Sequence, residues 1–217
     1  MTAKHVVITG ANRGIGAALA DGYRSQGNDV TGTSRDGSAG LQLDVTDPGA
    51  QGVLERALDA QAVDLLICNA GVYLDKGQNL ADGYPADMWE SSFATNVTGV
   101  FLTIQALLPQ LQMAKGAKIA IISSQMASDT NAAGGSYIYR ASKAAVLNLG
   151  RNLAVDLRGL GIAVGIYHPG WVRTEMGGGS AAIDAQEAAE GLMARFDALS
   201  LESTGCFETW DGRAHPF

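Results

Sequence analysis

The chain has 217 residues, 47% hydrophobic and 17% charged, and its 22 Asp and Glu against 15 Lys and Arg leave a formal net charge of −7. An acidic chain without a Lys/Arg stripe is poorly suited to nucleic acid or an anionic membrane surface, and no apolar run approaches the roughly 20 residues of a membrane span. Two cysteines, Cys68 and Cys206, and three histidines without HExxH spacing give neither a disulfide framework nor a metal site.

The opening Met1-Thr2-Ala3-Lys4-His5 carries no signal-peptide cleavage site and leads into an apolar, β-branched run over 5–9. A segment of helical period over 14–26 follows, then runs at 29–33 and 41–43 and a helix near 48–60. The run 63–67 precedes a loop and a long helix near 86–111. The run 118–122 precedes a loop and a helix near 137–158, and 162–166 a Gly-rich loop and a helix near 184–199. Strands that are apolar throughout imply burial on both faces. Strand–helix alternation over the whole length, with no linker or repeat, predicts an α/β doubly wound parallel sheet. That is a three-layer Rossmann fold, expected as one cytoplasmic domain over 1–217. The stretch Gly177-Gly178-Gly179-Ser180 is expected to be the least ordered, suited to a lid over a site.

Three places carry chemistry. The first strand ends in Thr9-Gly10-Ala11-Asn12-Arg13-Gly14-Ile15-Gly16 and runs straight into a helix. Glycines there permit a tight turn and let a pyrophosphate approach the helix N-terminus, although taken alone they make only a tight connection. Tyr139 and Lys143 lie one helical turn apart, so an ammonium beside the phenol is expected to lower its pKa from about 10 towards neutrality. Ser123 and Ser124 stand at the carboxyl end of the 118–122 strand, where ligands collect in open α/β sheets.

Together these features resemble the short-chain dehydrogenase/reductase family over nearly the whole chain. The carriers are Thr9–Gly16 as TGxxxGxG, Asn69-Ala70-Gly71, Asn96, Ser124, Tyr139-xxx-Lys143, and Pro169-Gly170-Trp171-Val172-Arg173-Thr174. The likeness is greatest to the C-factor/sniffer-like carbonyl reductase branch. It implies that Tyr139 is the acid–base group, and that Lys143 lowers its pKa and binds the nicotinamide ribose. Ser124 would polarise the carbonyl, and Asn96 would hold a water in a proton relay; Ser123 remains an alternative to Ser124. From Ser124 to Tyr139 the chain is two residues longer than the family's usual spacing. Tyr137 fits that spacing but lies about 1.7 turns before Lys143, so the two point apart and Tyr139 is preferred.

For the cofactor, the resemblance implies contacts from Gly10, Asn12, Arg13, Gly14, Ile15 and Gly16, with Asp44 and Val45 at the adenine and Asn69, Ala70 and Gly71 under the adenosine ribose. Pro169, Gly170, Val172 and Thr174 join Tyr139 and Lys143 at the nicotinamide half. At the end of the second strand, Asp36 stands 20 residues beyond Gly16, where a carboxylate would select NAD. Ser34 and Arg35 come first beyond the expected strand tip, and Arg13 adds a second cation. NADP(H) is therefore favoured over NAD(H). The implied activity is reversible reduction of a small-molecule carbonyl to an alcohol, by a homodimer or homotetramer pairing the two long helices. The alternatives are an NAD-dependent alcohol dehydrogenase and a C-factor-like signalling protein with little turnover.

Overall fold

Val6, Val7 and Ile8, at the centre of the first strand (β1, His5–Thr9), are completely buried. Val6 and Ile8 point into one hydrophobic cluster and Val7 into another. A strand covered on both faces has no polar side to alternate with, which is why its sequence reads as an unbroken apolar run.

The computed structural model describes residues 3–217; Met1 and Thr2, the first two residues of the opening segment, lie outside them. After β1 come α1 (Gly14–Ser25), β2 (Asp29–Ser34), β3 (Gly40–Gln42), α2 (Pro48–Ala57), β4 (Leu65–Cys68), α3 (Ala86–Phe93), α4 (Gly99–Ala106) and α5 (Leu108–Met113). They are followed by β5 (Lys118–Ile122), α6 (Tyr137–Arg158), β6 (Ala163–His168), α7 (Ala185–Ala198) and β7 (Phe207–Thr209). The strands form one parallel sheet in the order β3-β2-β1-β4-β5-β6-β7. Helices α1 and α7 pack together over one face, and α2, α4 and α6 cover the other. This is the expected three-layer Rossmann arrangement. The order reverses between β1 and β4, and a crevice at such a switch point is where these folds take ligands.

Three expectations are corrected. Strand β2 runs one residue further, to Ser34, leaving Arg35 as the first residue beyond it. A seventh strand, β7, pairs with β6; three residues reading Phe-Glu-Thr give too short a run to signal it. The helix expected over 86–111 is interrupted twice. A π-helical turn at Ala94–Thr98 inserts one extra residue, and the chain breaks at Leu107 because Pro109 has no N–H to donate. Within the Gly177–Ser180 stretch, Trp171 Nε1 donates to the Gly177 carbonyl at 2.9 Å, and Gly178 N to the Thr174 carbonyl at 2.8 Å. Lys76 Nζ also donates to the neighbouring Met176 carbonyl at 3.1 Å.

Candidate active site

The loop between β1 and α1 is locked onto the end of β4. Thr9 Oγ1 accepts from the Asn69 and Ala70 amides, both at 3.0 Å, and Asn69 Nδ2 donates to the Thr9 and Gly10 carbonyls, also at 3.0 Å. Any side chain at Gly16 would collide with the Gly10 carbonyl oxygen, so α1 starts as close to this loop as backbone allows. Arg13 provides no side-chain cap and the first turn of α1 holds no acid. The positive end of the helix, with its leading amides, is thus left for an outside anion. Thr174, from the Pro169–Thr174 segment, faces the loop: a Cβ on Gly14 would lie 3.2 Å from its methyl group.

At the carboxyl end of β5 the two serines separate. Ser123 Oγ donates to the Lys143 carbonyl at 3.0 Å, whereas Ser124 Oγ accepts from Met126 N at 3.1 Å and lies on the Tyr139 side, where it favours the phenolate. Tyr139 is 8% exposed; Tyr137 is 38% exposed and meets Tyr84 edge-on, away from this group. Lys143 Nζ lies 5.7 Å from the Tyr139 ring centre and donates to the Ile122 carbonyl at 3.0 Å. Asn96, in the π-helical turn, grips Val72: its Oδ1 accepts from the Val72 amide at 2.8 Å and its Nδ2 donates to the Val72 carbonyl at 2.9 Å. Nδ2 also reaches Ser142 Oγ at 3.0 Å. The Asn96 oxygen and Lys143 Nζ converge beside Gly71, 3.2 and 3.4 Å from where its Cβ would be.

The expected sign for Tyr139 is reversed. Burial pushes the phenol up to about 12, against the Ser124 hydrogen bond, while Tyr73 and Asp75 push the same way as burial. Lys143 is itself buried, which pushes it down to about 8. Desolvation by segments remote in sequence outweighs the one-turn neighbour.

A family model described as short chain dehydrogenase matches residues 4–184. The chain belongs to the short-chain dehydrogenase family. It is 37% identical over 156 residues to C-signal of Myxococcus xanthus, covering 71% of this chain and 93% of that protein. Its fold matches NADPH-bound carbonyl reductase from chicken fatty liver with a TM-score of 0.92, at 28% identity and 100% of both chains. A carbonyl reductase from Pseudomonas aeruginosa PAO1 in complex with NADP gives 0.87 at 31% identity, again over 100% of both. This short-chain dehydrogenase is therefore an NAD(P)-dependent oxidoreductase.

The remaining family positions fit a dinucleotide unevenly. The uncapped α1 terminus and the glycine cradle fit a pyrophosphate. Arg35, just beyond β2, is exposed. Ser34, in contrast, is 3% exposed and its hydroxyl donates to Asp36 at 2.7 Å, so it is committed to the β2–β3 turn. Hydrogen bonds from Ser34 and Ser38 hold Asp36 well below the usual carboxylate range. Asp44 is turned onto its own loop, accepting from Thr46 N and Oγ1 at 2.9 and 2.7 Å, and Val45 packs against Gly99. Arg13 makes an ion pair with Glu175, across the cleft in the loop after Thr174. Nothing in the sequence pattern singles out Glu175, Tyr73 or Asp75.

A cavity of about 500 Å³ opens between the ends of β6 and β7, walled by Trp171, Ile183, Trp210 and His215. His168 lines it at 8% exposure, and its Nδ1 has no partner. Burial, with His215 nearby, pushes this imidazole down to about 4, so it is neutral at physiological pH. Among the described residues no helix is long and apolar enough to cross a membrane, and no cluster of three or more His, Cys, Asp or Glu could hold a metal ion.

Proposed function

We propose that this chain is a single-domain, cytoplasmic, NADP(H)-dependent reductase that converts an aldehyde or ketone reversibly to the alcohol, with Tyr139 as the acid–base group. The observation that carries the reading is the buried Tyr139 phenol with the Lys143 ammonium 5.7 Å from its ring centre, one turn along α6, and Ser124 beside it at the end of β5. When bound, the nicotinamide cofactor supplies or accepts the hydride. Ser124 and Tyr139 both offer O–H groups to the substrate oxygen, and Tyr139 delivers its proton as charge develops there. A phenol near 12 holds that proton throughout the neutral range yet remains far more acidic than an alcohol. Lys143 and Asn96, converging at Gly71, set the electrostatics beneath the phenol. The cavity beside His168 takes the rest of the substrate.

Arg35 beyond β2 supports NADP(H), as do the NADPH and NADP named with the two carbonyl reductases. Arg13 joins it only on leaving Glu175. The deciding experiment is oxidation of NADPH and NADH across a panel of aldehydes, ketones and quinones, with wild type and Arg35→Ala. Loss of one charge-assisted phosphate contact should weaken NADPH by roughly 1.5–3 kcal/mol and leave NADH nearly unaffected. Equal losses would overturn the NADP(H) assignment in favour of an NAD-dependent alcohol dehydrogenase. The likeness to C-signal favours a second reading, a dinucleotide-binding signalling protein with little turnover. Tight NADPH binding with no turnover on any carbonyl would select it.

A further inference from the structure

Asp75 has 0% of its surface exposed, and no step above uses it. It lies in the segment after Asn69-Ala70-Gly71, yet its carboxylate serves α6. Oδ2 accepts from the Ile138 amide at 2.8 Å, and Oδ1 and Oδ2 accept from the Tyr139 amide at 3.2 and 3.3 Å. These are leading amides of α6, which ordinarily depend on a capping side chain of the preceding residue. Ser136 provides none: it is left-handed, at φ 48°, and its hydroxyl pairs with Tyr73 at 2.5 Å. The Tyr73 ring in turn stacks on Tyr139, with centroids 4.2 Å apart and planes 20° from parallel.

We propose that Asp75 and Tyr73 form a positioning device for Tyr139, the carboxylate fixing its backbone amide and the ring fixing the plane of its phenol. The proposal rests on Tyr139 being the acid–base group. It makes the 72–75 segment a partner of the chemistry and not merely a connection between β4 and α3. The held ring leaves the hydroxyl only rotation about its own C–O bond. The groups facing Tyr139 are Asp75 and Tyr73 from this segment, Ser124 from the end of β5, and Lys143 from α6 itself. Asp75 is the anion among them, so it also disfavours the phenolate.

The test is a pH titration of Tyr139 in protein carrying ζ-¹³C-tyrosine, its signal assigned by its loss in Tyr139→Phe. Asp75→Asn removes the charge and keeps the shape. The Tyr139 signal should shift at neutral pH, and its titration should begin about half a pH unit or more lower than in wild type. Turnover should fall several-fold with the cofactor KM unchanged. Should Asp75→Asn not fold, Tyr73→Leu is read the same way: loss of the stack should shift the signal at neutral pH and lower kcat without altering cofactor KM. An unchanged Tyr139 signal and titration in a folded variant would overturn the proposal while leaving Tyr139 as the acid. Wild-type turnover by Tyr139→Phe would instead overturn the underlying reading.

Discussion

Lys143 is charged in neutral solution but only narrowly, because burial pushes it to about 8 while Tyr139 is pushed to about 12. The order sets the pH profile. In the proposed mechanism reduction needs the phenol protonated, which holds throughout, and is helped by the neighbouring ammonium, which is lost as pH rises through 8. The expected kcat/KM for reduction is flat below about pH 7.5 and falls above about 8, a limb that Lys143→Met should abolish along with much of the rate. A limb that persists in this variant would assign it to another group. Tyr139→Phe should lower kcat by at least ~10²-fold with cofactor affinity nearly unchanged, whereas Tyr137→Phe should stay active in the same assay. Helical phase alone separated these two tyrosines. The acidity of the chosen one was not legible: it depends on Tyr73, Ser124 and Asp75, which reach α6 from two other parts of the chain.

Between elements, the pair Arg13–Glu175 joins the glycine loop after β1 to the loop after β6. Both side chains are more than two-thirds exposed, so the pair is held weakly and screened by salt. Glu175→Gln should release Arg13 to an incoming phosphate and tighten NADPH by about two- to fivefold at low ionic strength. Fluorescence titration at low and high salt checks it; no difference between wild type and Glu175→Gln would mean that Arg13 does not meet the cofactor. Element boundaries were legible where chemistry is local. The apolar runs mark six of the strands, whereas the break at Leu107 is missed although Pro109 lies inside the helix expected over 86–111. The π-helical turn at Asn96 was not legible, because its register is set by Val72 and Ser142, distant in sequence.

Across the whole molecule, apolar side chains remain outside on the helices expected to pair. Val155 on α6 is 74% exposed and Phe101 on α4 is 40% exposed. If these faces join two copies, Val155→Glu should shift the sedimentation profile towards monomer at micromolar concentration, while wild type sediments as a dimer or tetramer. A wild-type monomer would remove the basis for the pairing. The cavity beside His168 has a different consequence. Apart from Gln125, every residue that walls it comes from position 168 onward, whereas Asn96, Ser124, Tyr139 and Lys143 all come from before 144. On the proposed function, recognition and reactivity are thus inherited on separate lengths of one polypeptide. Mutation at Trp210 or His215, beyond the Pro169–Thr174 segment expected at the cofactor, can retune the first while the second is left alone, a change of appetite without a change of chemistry.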